Sequence, residues 1–301
     1  MVFSSILFMF IYLPVVLALY YIAPVRWRNP ILFVANLVFY GWGEPVFIVL
    51  MLFSITVNYI NGMLIGRWRL TQQKKAKTVL VLNVVINLAL LGFFKYYDLI
   101  AETLSLLPFL DIKPLGIALP IGISFYTFQT MSYPIDVYRG DTPPNRSIAQ
   151  VALYISFFPQ LIAGPIVRYT DVAEDMNARR ESLDDAAEGA ARFIFGLGKK
   201  CVLSNALAAL ADSAFACPEG ELSTALAWLG IIAYALHIYY DFSGYSDMAI
   251  GLGKLFGFRL PENFNYPYIS ASVTEFWRRW HMTLSGWFRD YLYIPPVSYT
   301  H

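Results

Sequence analysis

Apolar runs of about the length of a bilayer recur through this chain, and they restrict its fold more than any other feature. Roughly 20 such residues cross a hydrocarbon layer about 30 Å thick. Runs of this kind cover residues 3–23, 46–65, 79–94, 118–137, 152–167 and 225–240, with a shorter one at 31–40. A water-soluble core cannot hide that much apolar surface: 57% of the 301 residues are hydrophobic, 14% are charged, and the mean hydropathy is +0.52. Soluble domains average about 25% charged residues. The expected fold class is all-α: a polytopic transmembrane helical protein with re-entrant and interfacial helices.

Charge sets the expected topology. Arg26 and Arg28 follow the first run with no basic residue before it, which predicts an outward N-terminus and an anchor, not a cleaved signal peptide. A second basic end, Arg67, Arg69, Lys74, Lys75 and Lys77, closes the run at 46–65. Two cytoplasmic ends need an even number of crossings, so the turn Gly41-Trp42-Gly43-Glu44-Pro45 lies outside and the segment reads as a helical hairpin. The run at 79–94 leads outward to Lys95, Asp98, Glu102, Asp111 and Lys113, and 118–137 returns to Arg139 and Arg146. Pro159, Gly164 and Pro165 break the run at 152–167, which predicts a re-entrant or kinked element. Cationic residues from Arg168 through Arg179, Arg180, Arg192, Lys199 and Lys200 then mark the cytoplasmic side. Ser182 with Asp185 three residues on has capping-box form and opens an expected interfacial helix, with entry into the bilayer beyond Lys200.

The net charge of +1, from 22 basic and 21 acidic residues, gives no basic surplus for nucleic acid and no acidic tail. Lipids, other membrane proteins and small acyl donors are the expected partners. Cys201 and Cys217 form no CxxC pair, so neither zinc nor a disulfide framework is implied, and both read as buried bystanders. The chain has no internal repeat, which counts against a transporter. One membrane domain over residues 1–295 accounts for the pattern, leaving 296–301 as an atypical end.

Two polar clusters carry candidate chemistry. In YYDFSGYSDMAIGLG, residues 239–253, helical spacing puts Tyr240, Ser243, Gly244 and Asp247 on one face, with Asp241 nearby. Ionisable groups in an apolar helix cost about 2.5 to 3.5 kcal/mol each, so they line a passage or bond a neighbouring helix. In EFWRRWHMTLSGWFRDYLYIP, residues 275–295, Arg278, His281 and Ser285 fall on one helical face among Trp277, Trp280, Trp287 and Phe288. An imidazole is suited to take a proton from a hydroxyl near neutral pH, as acyl transfer to an alcohol requires. Arg278 and Arg279 either grip a phosphate or carboxylate, or, since Glu275 precedes Arg279 by four, form an ordinary helix ion pair. His237, four before Asp241, reads as a packing residue. The tryptophans read as interfacial anchors, and the basic loop at 67–77 as a topology signal touching anionic lipid.

These two clusters, with LPIGISFYTFQTMSYPIDVYRG at 119–140 and FFPQLIAGPIVRY at 157–169, resemble the membrane-bound O-acyltransferase family from the first run to about Pro295. Their wording is most similar to the branch that acetylates exported bacterial polysaccharides such as alginate. The resemblance implies a multi-helix fold with a central passage in the bacterial inner membrane. It implies an acetyl donor such as acetyl-CoA used from the cytosol, no bound cofactor or metal, and periplasmic accessory acetyltransferase proteins that hand the group to the polymer. The family's motif histidine maps onto His281, with Tyr240, Asp241, Ser243, Asp247, Arg278, Arg279 and Ser285 as expected supporting or passage residues. The family's second histidine, in a Trp-His-Gly context, has no counterpart, and 296–301 match none of the usual continuation, so the chain reads as C-terminally truncated. The alternatives are a teichoic-acid D-alanyl transfer protein, a transporter or flippase without acyl chemistry, or an inactive fragment.

Overall fold

The computed structural model describes residues 1–107, 112–179, 181–218 and 220–293. Asp111, Arg180 and the tail at 296–301 lie outside them. Helices α1 (Leu13–Ile22), α2 (Val25–Gly43), α3 (Ile48–Trp68), α4 (Gln73–Leu104), α5 (Ile123–Arg139), α6 (Ile148–Ser156) and α7 (Phe158–Leu161) are followed by α8 (Tyr169–Ala178), α9 (Leu183–Gly198), α10 (Asn205–Phe215), α11 (Thr224–Leu255), α12 (Val273–Arg279) and α13 (Met282–Trp287). Among the described residues four helical stretches are long and apolar enough to cross a membrane: Ile48–Trp68, Gln73–Leu104, Leu183–Phe215 and Thr224–Leu255. The fold is all-α and the chain is a multi-pass membrane protein.

The chain separates into two compact units, one of Ala23–Ile162 with Arg168–Ala173, the other of Met1–Ile22, Ala163–Val167 and Glu174–His301. In the first unit, buried asparagines fasten α3 to α4: Asn61 donates to Asn83 Oδ1 at 2.7 Å, and Asn83 and Asn87 both donate to Asn58 Oδ1, at 3.0 and 3.2 Å. With no water to satisfy them, amides inside an apolar bundle pair with each other. The segment expected as a hairpin is helix, turn, helix, but α2 packs mainly on α6, and α3 on α4 and α5.

The expected continuous run at 118–137 starts as a helix only at Ile123, after Gly122 in the left-handed region. The proline-broken run is broken as expected, between α6 and α7 at Phe157. The polar groups this frees are satisfied from neighbours: Asn36 Oδ1 accepts from the Phe158 N–H at 3.1 Å, and the Tyr154 carbonyl accepts from Gln129 and Gln160, each at 2.8 Å. Irregular backbone at membrane depth persists where protein groups take over those bonds.

In the second unit Ser182 caps α9 by accepting from the Asp185 N–H at 3.0 Å, the expected capping geometry. The helix expected to lie at the interface is not a separate element: it runs on through a π-helical turn, Lys199–Ser204, into α10. It can continue because α11 neutralises the lysines, Lys199 against Asp247 at 2.6 Å and Lys200 against Asp241. The expected anchor at 3–23 is the shorter apolar helix Phe8–Ile22. Tyr20, at its end, donates to the Phe256 carbonyl at 2.9 Å and accepts from Arg179 Nε at 2.7 Å.

Helices α9 and α11 meet without side chains between them. A Cβ added to Gly196 would stand 2.6 Å from the Gly244 carbonyl, and one on Gly251 would meet the Gly189 carbonyl at 2.5 Å. Small residues at a seven-residue spacing on both helices let the backbones touch.

Candidate functional site

The site grows from the break between α12 and α13. His281 has φ 44° and ψ 53°, in the left-handed region, so the helix stops and restarts around it. The single face expected for Arg278, His281 and Ser285 is therefore lost. The peptide groups freed by the break pair with the loop before α12: the Asn265 N–H donates to the Arg279 carbonyl at 2.8 Å, and the Met282 N–H to the Asn263 carbonyl at 2.9 Å. The His281 side chain, 6% exposed, lies with Nδ1 2.9 Å from Asn263 Oδ1 and with the Phe242 ring edge-on at 4.8 Å. Burial pushes its pKa down to about 4, so the ring is neutral at cellular pH.

A cavity of about 440 Å³ has in its wall Arg192, Lys199, Ser243, Ser246, Asp247 and Asn263; His281 is not part of that wall and adjoins it through Asn263 and Met282. Arg192 donates to Asp247 Oδ1 at 3.0 Å and to Glu262 Oε1 at 2.5 Å, and Lys199 to Asp247 Oδ2 at 2.6 Å. Two cations facing two carboxylates leave the wall polar and charge-balanced. Ser243 Oγ, Ser246 Oγ and Asn263 Nδ2 are buried with no hydrogen-bond partner in the protein. Buried polar groups are normally satisfied, and these three, on residues of the cavity wall, are left unpaired by the protein.

Of the expected set, Ser243 and Asp247 reach the cavity wall, and Asn263 and Met282, neighbours of His281, do too. Asp241 instead pairs with Lys200, and Tyr240 packs on Tyr239 at 5.2 Å. Arg278 is exposed, and Arg279 pairs with Glu275 at 2.9 Å, so the helix ion pair holds and neither arginine reaches the cavity. The Ala271 N–H and then Arg279 hold the Glu275 carboxyl below the usual carboxylate range. Ser285 serves through its backbone, donating to the His281 carbonyl at 3.1 Å.

His237 lies 2.9 Å from Ser204 Oγ through Nδ1, a packing contact between helices. Cys201 is exposed, not buried as expected, because it sits on the outer side of the π-helical turn, and Cys217 is half-buried. Among the described residues no group of three or more His, Cys, Asp or Glu could hold a metal ion.

The pattern of the MBOAT, membrane-bound O-acyltransferase family, matches residues 144–299, more than half of the chain. The chain belongs to this family. As a membrane-bound O-acyltransferase family member it is 48% identical over 298 residues to the probable alginate O-acetylase AlgI of Azotobacter vinelandii, covering 98% of this chain and 59% of that protein. It is 36% identical over 328 residues to the peptidoglycan O-acetyltransferase of Helicobacter pylori, covering 98% and 62%. It is 30% identical over 182 residues to the teichoic acid D-alanyltransferase of Bacillus subtilis, covering 58% and 45%. The chain thus spans less than two thirds of the length of these relatives. The family match contains both polar clusters and His281.

Sequence reasoning missed Asn263 and Glu262 as site residues, noted Ser246 only as a member of the polar cluster at 239–253, and took Arg192 and Lys199 only as topology signals. Asn263 is 18 positions from His281, in a loop with no helical period to relate them. Its immediate surroundings, Glu262-Asn263-Phe264-Asn265, are those of an ordinary polar loop and gave no signal.

Proposed function

We propose that the chain is the acyl-transferring part of a membrane O-acetyltransferase of the bacterial inner membrane. It takes acetyl from a cytosolic donor such as acetyl-CoA and passes it toward an exported polysaccharide such as alginate, with periplasmic accessory acetyltransferase proteins completing delivery. The observation that carries this reading is a buried, neutral imidazole, His281, fixed beside a polar cavity. The acetylase activities named for its relatives support acetyl as the group transferred.

In this reading His281 takes the proton of an attacking hydroxyl as its oxygen bonds to the acetyl carbon. The C–S bond of the donor breaks, and the imidazolium returns the proton to the departing sulfur. Ser243 and Asp247 shape the polar wall; Tyr240, Asp241, Arg278, Arg279 and Ser285 hold the helices that carry it.

The test is His281→Asn. Asparagine tolerates the left-handed backbone and retains a donor toward Asn263, while the second ring nitrogen is lost. The chain, alone and extended with the family's usual ending, is expressed in cells that make the polymer without acetylating it. Acetylation supported by the unsubstituted protein should fall by roughly 100-fold or more in the variant, the scale of a lost acid–base group. Near-normal acetylation by the folded variant rules out His281 as the base.

A further inference from the structure

Asn263 is fully buried, on the non-helical stretch between α11 and α12, and nothing in its sequence surroundings marks it as functional. Backbone pairing on either side holds it against the α12–α13 break. The Asn265 N–H bonds the Arg279 carbonyl, and the Asn263 carbonyl takes the Met282 N–H. Its side chain makes the closer contacts. Oδ1 lies 2.9 Å from His281 Nδ1, 2.9 Å from Thr283 Oγ1 and 3.4 Å from the Thr283 backbone nitrogen.

Hydrogen-bond bookkeeping fixes the direction of each bond. A backbone N–H only donates, so the amide atom facing Thr283 is the carbonyl oxygen. Thr283 Oγ1 accepts from the Ile166 N–H at 2.9 Å, which leaves its own proton to point at Oδ1. An oxygen that only accepts requires a proton on the imidazole nitrogen beside it. His281 Nδ1 therefore carries the hydrogen, and the lone pair sits on Nε2. Phe242, packed edge-on to the ring, restricts its rotation out of this arrangement.

We propose that Asn263 is a positioning residue for His281: through Oδ1, itself clamped by Thr283, it selects the Nδ1–H tautomer and aims Nε2 as the proton acceptor. The catalytic half of this statement rests on the reading of His281 as the base; the tautomer half does not. The usual preference of a solvated neutral imidazole is for the proton on Nε2, so the site imposes the less common form.

The chain has three histidines, His237, His281 and His301, so ¹⁵N-histidine labelling of the 301-residue protein in lipid nanodiscs gives few imidazole signals. Those absent in His281→Asn belong to His281. The unsubstituted protein should show a protonated Nδ1 and an unprotonated Nε2 at neutral pH. In Asn263→Leu, of similar volume but with no acceptor, the proton should move to Nε2; in Asn263→Asp, which keeps the acceptor, it should stay on Nδ1. An Nε2–H signal in the unsubstituted protein overturns the proposal and needs no variant to fold. An unchanged tautomer in folded Asn263→Leu overturns it equally.

In the acetylation assay, Asn263→Leu should lower kcat by roughly 100-fold, and Asn263→Asp should recover most of the loss. A tautomer that switches while kcat stays unchanged leaves the positioning geometry standing and removes His281 as the base.

Discussion

Protonating His281 inside the fold costs more than protonating it in the unfolded chain, since burial strips water from the charged ring. Its pKa is accordingly lowered from 6.5 to about 4. The unfolded chain then binds the proton first as acid is added. Stability tied to the neutral ring is fully present above pH 6.5 and is lost as the pH falls toward 4, by at most about 3 kcal/mol. Thermal midpoints of the unsubstituted protein and of His281→Asn in the same detergent, at pH 7.5 and 4.5, measure it. The unsubstituted protein should lose more than the variant on acidification, and equal losses would show that the ring is not held neutral by the fold.

At the scale of elements, the contact between α9 and α11 decides where the charged groups go. Because Gly196 meets Gly244 and Gly189 meets Gly251, the two backbones approach closely enough for Arg192 and Lys199 to reach Asp247 across the seam. A side chain in the seam would push the helices apart and strand carboxylates in an apolar setting. Gly251→Leu should therefore destabilise the protein by roughly 1 to 3 kcal/mol, the usual range for overpacking. Gly92→Leu in α4, where an added Cβ meets nothing within 4 Å, is the matched control. Unfolding curves that shift equally for both would sink the argument that backbone contact sets this packing. The same logic explains why the polar face of α11 did not declare its purpose in sequence. Helical period put Ser243, Gly244 and Asp247 together, but only the partner helix shows that Gly244 seats a backbone while Ser243 faces a cavity.

For the molecule as a whole, the cationic ends of the apolar helices predict orientation. We place Gln73, at the start of α4, and Ser182, at the cap of α9, on the cytoplasmic side, because Lys74, Lys75 and Lys77 adjoin the first and Arg179 the second. Both positions are exposed. In a chain with Cys201 and Cys217 replaced by serine, single cysteines at Gln73 and Ser182 should react with an impermeant reagent only after the membrane is opened. Reaction at either site in intact cells would reverse the orientation at that site.

Composition and hydropathy by themselves determined that this protein lives in lipid and is built of helices, since apolar runs of bilayer length have no other stable solution. Local chemistry likewise determined the cap at Ser182 and the proline-broken helix near Pro159, because both depend on residues within one turn. Only the tertiary structure decided what the breaks and charges are for. The pause at His281 is a left-handed residue stabilised by Asn263 and Asn265 from another part of the chain, which no helical period anticipates. The lysines that looked like the end of an interfacial helix lie mid-helix because carboxylates on α11 face them. Period and propensity act over a few residues, whereas a buried imidazole's protonation, a glycine seam and a cavity wall are set by groups tens of positions apart.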